Sequence, residues 1–148
     1  MSKLGKYFSI REFTYSATAQ RELITNVPDP RQMMAINYMV KHLLDPLRSD
    51  LGRPVHITSG FRCPELNKII GGSVTSQHML GEAADIKVDD LDAEELATII
   101  ANSGLPFGQL IWYAAARGGH VHVSLRNPLH HRQMLSAPIR GGYTVWQP

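Results

Sequence analysis

Apolar residues recur every three or four positions after Pro30, which predicts a long helix with one face packed on a core. The stripe consists of Met33, Ile36, Val40, Leu43, Leu44 and Leu47. The run Pro28-Asp29-Pro30 favours a helix start at this point. Pro46 lies inside the pattern and predicts a kink or a local tightening of the helix.

Three shorter helices are predicted from their end signals. Ser9 with Glu12, and Asp92 with Glu95, have the spacing of capping boxes, in which each side chain bonds the other residue's backbone. Pro64 suits the first turn of a helix that runs to Ile70, because its missing N–H is not needed there.

Short runs rich in β-branched residues predict four strands, at Val55–Ser59, Ala83–Val88, Gln109–Tyr113 and His120–Leu125. The connections between several of them are too brief for parallel crossovers. We therefore expect an α+β fold, with helices packed on one face of a small, mainly antiparallel sheet. Residues 127–148 have weak periodicity, and we expect them to form an extended C-terminal wrap.

Composition limits the classes of function. A chain of 148 residues with a net charge of +2 is most simply one domain, 1–148, without the clustered basic stripe of a nucleic-acid-binding protein. No apolar run approaches the roughly 20 residues of a membrane span. The N-terminus lacks the apolar region of a secretory signal, so we expect synthesis in the cytoplasm without a signal peptide.

Two histidines and an aspartate have the spacing of a metal site. His120 and His122 are two apart on a predicted strand and share one face, while Val121 and Val123 face the core. If the strand that carries Asp85 lies beside them, Asp85 and His122 converge. His78, on the polar turn before that strand, can then complete a set of three ligands that leaves one position open.

Two imidazoles in this set favour zinc over calcium, which prefers oxygen ligands, although nickel or cobalt would fit the same residues. The alternative is that these are surface histidines that bind no metal.

The motif Ser76-x-His78-x-x-Gly81-x-Ala83-x-Asp85, followed by His120-x-His122, resembles the zinc peptidases of bacterial cell walls. This group includes D-alanyl-D-alanine carboxypeptidases, phage endolysin peptidases, lysostaphin-type enzymes and the Sonic hedgehog domain. The chain is similar in particular to the carboxypeptidase-like branch, whose Ser-Gly-Tyr-Arg-Ser-Pro-x-x-Asn stretch resembles residues 59–67. The resemblance runs from about residue 8 to residue 126.

The resemblance implies roles for individual residues. His78, Asp85 and His122 would be the zinc ligands. Arg62 would stabilise the oxyanion or hold a substrate carboxylate, unless it is simply a surface arginine at a helix start. Ser76 would support the site through a hydrogen bond near Asp85 without binding the metal itself, or would instead cap a turn. Gln77 and Glu82 occupy variable positions and receive no role.

Departures from the family pattern concern the catalytic base. Many relatives carry an acidic residue where this chain has Gly119, and close relatives often carry Glu where this chain has Tyr113 and Trp where it has His120. His120 is therefore the remaining candidate for proton transfer.

The expected function is that of a zinc-dependent peptidase that hydrolyses amide bonds in peptidoglycan stem peptides or crosslinks, of carboxypeptidase or endopeptidase type. Without a signal peptide, such an enzyme would reach the cell wall after release, as in phage or prophage lysis. One alternative is a catalytically impaired, metal-bearing module that binds the cell wall or belongs to a phage virion. Another is an intracellular scaffold that binds no metal. The sequence gives no indication of oligomeric state.

Overall fold

The computed structural model describes residues 3–126, 131–139 and 141–148. Six strands form one sheet in the order β3-β4-β6-β5-β7-β8, and a separate hairpin pairs β1 with β2. The strands are β1 (Lys3–Leu4), β2 (Phe8–Ser9), β3 (His56–Ser59), β4 (Ala83–Lys87), β5 (Gln109–Tyr113), β6 (Val121–Ser124), β7 (Gln133–Ala137) and β8 (Thr144–Val145). The helices are α1 (Ile10–Thr14), α2 (Ala17–Arg21), α3 (Pro30–Met39), α4 (Asp45–Leu51), α5 (Pro64–Ile70) and α6 (Ala93–Asn102).

The α+β prediction is confirmed, and the large sheet is mainly antiparallel. Its single parallel pair among the described residues joins β5 and β7, which the sequence did not predict.

No helix among the described residues is long and apolar enough to cross a bilayer.

One face of the sheet carries the core, because alternate residues of β4 and β6 point toward the helices. Val121 and Val123 are fully buried there, as predicted. The helical side contributes the long stripe and α6 to the same cluster, through residues such as Ile36, Leu43, Leu47, Leu96 and Ile100. The opposite face of β4 and β6 is therefore left for polar side chains.

The helices begin at the capping residues that mark their N-termini in the sequence. Capping boxes at Ser9, Asp29 and Asp92 hold the first turns of α1, α3 and α6, and a cap of this kind contributes about 1 kcal/mol. The helix is distorted next to Pro46, where a kink or a tightening was predicted, but it widens rather than tightens. Residues Val40–Leu44 instead form a wider π turn, in which the N–H of Asp45 bonds the carbonyl of Val40. The wider turn leaves room for the proline ring, which clashes in a regular helix.

The C-terminal segment joins the sheet rather than only lying over it. Gln133–Ala137 pairs with β5, and Thr144–Val145 pairs with β7. Residues 127–130 and 140 of the predicted wrap lie outside the described residues.

Gly81 lets the turn at Gln77–Leu80 dock on α3. It has a φ of +74°, and a Cβ at this position would lie 2.5 Å from the carbonyl oxygen of Gln32. Gln32 also donates a hydrogen bond from its side chain to the carbonyl of Met79 at 3.1 Å. The motif glycine is thus needed both for its conformation and for the close approach.

We predict that Gly81→Ala lowers the free energy of unfolding by more than 2 kcal/mol, because it adds a backbone clash to the cost of a left-handed residue. Gly104→Ala is the matched control, since Gly104 has a φ of +77° with no atom near its missing Cβ. The control should cost only about 1–2 kcal/mol. Urea unfolding followed by circular dichroism measures both values, and equal losses would contradict the docking role of Gly81.

Candidate metal centre and cleft

The register between β4 and β6 brings two of the predicted ligands together. Asp85 lies directly opposite His122 on the antiparallel partner strand, on the face away from the core. Asp85 Oδ1 is 3.1 Å from His122 Nδ1. The predicted convergence of these two strands is therefore present in the structure.

His78 reaches the same point from the turn before β4. Its Nε2 lies 3.3 Å from Asp85 Oδ1, and its residue exposure is only 2%. On the other side of the ring, the Nδ1–H donates to the carbonyl oxygen of Gly60 at 2.7 Å. Gly60 itself packs against α1, where a Cβ would lie 2.6 Å from the carbonyl oxygen of Phe13, so this position requires glycine.

The outer contact of His78 fixes the tautomer of its neutral ring. A carbonyl oxygen can only accept, so the hydrogen of His78 is on Nδ1 and the lone pair of Nε2 faces Asp85. His122 lies between two acceptors, with Nδ1 3.1 Å from Asp85 Oδ1 and Nε2 3.4 Å from the amide oxygen of Gln77. With its hydrogen on Nε2, bonded to Gln77, the Nδ1 of His122 is available as a third ligand atom, and this arrangement suits a cation.

The distances also fit a metal ion. One donor atom from each of His78, Asp85 and His122 lies within 4.8 Å of the other two. Bonds of about 2.0–2.1 Å to a tetrahedral zinc ion place neighbouring ligand atoms about 3.3 Å apart. The measured separations of 3.3 and 3.1 Å are close to that value.

Electrostatics favour a cation over a proton at this point. Burial alone would disfavour ionisation of Asp85, but its contacts with His122 and His78 outweigh burial and hold its pKa well below the usual range. Burial lowers the pKa of His122, despite the neighbouring carboxylate, and so opposes adding a proton. A divalent cation provides the positive charge without protonating the buried ring.

His120 lies beside the cluster and outside the set of three. Its Nε2 is 3.9 Å from Asp85 Oδ2, and its ring stacks on Tyr113 with a centroid separation of 4.3 Å. Burial lowers the pKa of His120, which keeps the imidazole neutral near pH 7. A neutral ring that is only partly buried and lies beside the cluster can accept a proton.

Arg62 lines the same cleft. Its Nε atom is buried without a hydrogen-bond partner among the described residues, and burial lowers the pKa of the guanidinium, against the effect of Asp85. The cation of Arg62 therefore faces the cleft with unused hydrogen-bonding capacity. This partly buried position in the cleft does not fit the alternative interpretation of Arg62 as a solvated surface arginine.

The cleft above the cluster has a volume of about 930 Å³, at the upper end of the range for ligand sites. Its walls include the loop at residues 71–77, the strand β5 and part of the C-terminal segment. The metal cluster therefore faces a space large enough for several peptide residues.

The comparison with known families agrees with this geometry. The family model described as Peptidase M15 matches residues 6–124, which is most of the chain. The chain belongs to the peptidase M15 family. Peptidases of this family are metal-dependent, and the His-Asp-His cluster fits a metal site. No curated protein matches the chain.

In this M15 peptidase, Ser76 supports the site through the backbone. Its hydroxyl accepts a hydrogen bond from the N–H of His78 at 3.2 Å and caps the turn at Gln77–Leu80. The contact agrees with the turn-capping alternative, and it also holds the backbone from which His78 projects.

Gln77 is the residue that sequence reasoning missed. Its amide oxygen accepts from His122 Nε2 and so orients the ring from outside the cluster. A single glutamine in a motif gives no signal of this contact, because the partner is 45 residues away. Its position next to His78, on a turn at the cluster, was the only available indication.

We predict that Gln77→Ala weakens metal binding by about 10-fold or more, because outer partners of ligating histidines have effects of this size. Competition with a chromogenic chelator measures the affinity. Gln20→Ala, at an exposed position on α2, is the matched control and should leave the affinity unchanged. Unchanged affinity in the Gln77 variant would contradict the orienting role.

Proposed function

We propose that the protein is a zinc-dependent peptidase that hydrolyses amide bonds in peptidoglycan stem peptides or crosslinks. The observation that carries the proposal is the convergence of His78, Asp85 and His122 on one point in a cleft, in a chain of the peptidase M15 family. Two nitrogen ligands and one carboxylate favour zinc over calcium or magnesium.

Three protein ligands leave one coordination position open, as in catalytic zinc sites. When bound, zinc supplies Lewis acid chemistry, since it polarises the scissile carbonyl and lowers the pKa of water to about 7. The ligands contribute rigidity. His78 is held by Gly60, and His122 is held by Gln77, so neither ring has to reorganise during the reaction.

His120 and Arg62 act on the substrate in this proposal. His120 takes a proton from the attacking water as the new C–O bond forms, and returns it to the leaving amine as the C–N bond breaks. Tyr113 stacks on the ring and limits its rotation. The guanidinium of Arg62 donates hydrogen bonds to the developing negative charge on the carbonyl oxygen.

The substrate class rests on the motif and on the size of the cleft. The motif from Ser76 to Asp85 resembles that of cell-wall peptidases, and the cleft is large enough for a short peptide. Action on the cell wall after release from the cell, as in phage or prophage lysis, belongs to the same proposal.

We predict that zinc-loaded protein releases new amino groups from purified peptidoglycan, and that Asp85→Asn abolishes this release. The amide keeps the size of the carboxylate but removes its charge, so zinc affinity should fall by more than about 100-fold, beyond the effect of losing an outer partner. Mass spectrometry of the digested muropeptides detects turnover and identifies the bond.

Asp89→Asn is the matched control, because Asp89 is exposed on the surface and its carboxylate pairs with the exposed His56. A chelator should stop the reaction of the wild-type protein, and added zinc should restore it. Intact peptidoglycan that nevertheless retains the zinc-loaded protein would refute the peptidase and favour the wall-binding module.

We also predict that His120→Gln lowers kcat by about 100-fold or more, as expected when a proton-transfer group is lost. Zinc affinity should change by less than threefold, because His120 is not one of the three converging residues. Steady-state kinetics and chelator competition on the same preparation separate the two effects. A variant that keeps full kcat would exclude His120 as the proton carrier.

A further inference from the structure

The cleft extends along β5 on both sides of the metal cluster. Ile111 lies directly opposite His122, and Gln109 and Tyr113 project from the same face of the strand two residues to either side. At about 3.3 Å per residue, the Cα atoms of Gln109 and Tyr113 are about 13 Å apart. The same cavity contacts all of them, so the cluster stands near the middle of this length rather than at one end.

A pair of glutamines forms one end of this length. Gln109 donates from its amide nitrogen to the amide oxygen of Gln133 at 2.8 Å, and the two residues lie side by side on β5 and β7. This bond uses one donor and one acceptor of the pair. The oxygen of Gln109 and the nitrogen of Gln133 are left to bond a peptide N–H and a peptide carbonyl.

A pair of tyrosines forms the other end. The hydroxyls of Tyr113 and Tyr143 are 3.1 Å apart, and one of them donates to the other. The second O–H is left to donate to a substrate carbonyl. Burial raises the pKa of Tyr113, so its phenol remains a neutral donor.

Arginines near both ends already have partners. Arg126 pairs with Glu82 at 3.0 Å beside the glutamines, and Arg117 donates to the carbonyls of Pro138 and Gly141 beside the tyrosines. An enzyme that removes a C-terminal residue needs a cation for the terminal carboxylate close to the metal, and the cation that lines the cleft there, Arg62, already acts on the carbonyl oxygen in the proposed mechanism. The two ends of this cleft instead offer neutral groups that suit backbone amides.

We infer that the enzyme is an endopeptidase, which binds substrate residues on both sides of the scissile amide through the Gln109–Gln133 and Tyr113–Tyr143 pairs. The inference rests on the proposed function and names its bond class. Gln133 and Tyr143 lie beyond residue 124, outside the part matched by the family model, so these specificity residues do not follow from family membership.

The decisive substrates are a stem pentapeptide with a free C-terminus, the same peptide with a C-terminal amide, and a crosslinked dimer of stem peptides. The zinc-loaded protein should cut an internal bond, and amidation should change kcat/KM by less than about twofold. Release of only the terminal residue, with loss of activity on the amidated peptide, would overturn the inference while leaving the peptidase intact. Failure to cut any of the three peptides would instead refute the proposed function.

Binding to the metal-free protein gives a readout that is independent of turnover. By calorimetry, the free and amidated peptides should bind with affinities within about twofold. Tyr143→Phe and Gln133→Leu should each weaken the binding of both peptides by about fivefold, which is the effect of losing one hydrogen bond. A free acid that binds more than 10-fold more tightly than the amide would identify a terminal-carboxylate site and overturn the inference.

Matched controls keep the test specific. Tyr15→Phe and Gln20→Leu alter exposed residues of the same types outside the cleft and should leave binding unchanged. In kinetics, Tyr143→Phe should raise KM about fivefold with kcat within twofold, since the lost bond lies away from the reacting atoms. An effect on kcat alone would overturn its role in substrate binding.

Discussion

Three acceptor atoms that face one another in a buried cleft repel each other unless a positive charge lies between them. His78 Nε2, Asp85 Oδ1 and His122 Nδ1 form such a group when both imidazoles are neutral and carry their hydrogens on the outer nitrogens, toward Gly60 and Gln77. A proton could relieve one contact, but burial opposes protonation of His122. A divalent cation relieves all three contacts, and we regard this balance of charge as the main constraint on the site.

The fold meets this constraint through register and close approach. The pairing of Asp85 with His122 places both side chains on one face, and a slip of one residue would turn one of them into the core. The apolar residues between them prevent that slip, because Val121, Val123 and Ile86 are buried by the helices. Gly81 then allows the turn that carries His78 to approach α3, and Gly60, which packs on the backbone of Phe13, offers its carbonyl to the His78 ring. Val121, Val123 and Ile86 therefore form part of the core and also fix the geometry of the site.

The sequence predicted the parts of this arrangement that depend on local pattern. Alternation gave the strands β4, β5 and β6 with nearly correct bounds, and spacing along them brought Asp85 and His122 to one face. The parallel strand β7 was not predicted, because its residues pair with β5 from a tail whose own periodicity is weak. Pro46 predicted a kink or a tightening and the structure has a wider π turn, since a proline gives the location of a distortion but not its form. Gln77 was missed because an orienting hydrogen bond depends on the three-dimensional neighbour and not on spacing.

The division of the cleft between two parts of the chain has a consequence for specificity. The cluster and the proposed catalytic groups all lie within the region of the family match, where the register of β4 and β6 fixes their geometry. Gln133 lies on β7 and Tyr143 directly precedes β8, and these two strands extend the sheet beyond β5. Changes in this added edge can alter which peptide is bound without moving the ligands, because β5 lies between β7 and the ligand-bearing strands β6 and β4. Such an arrangement lets the chemistry remain fixed while the length and character of the substrate vary.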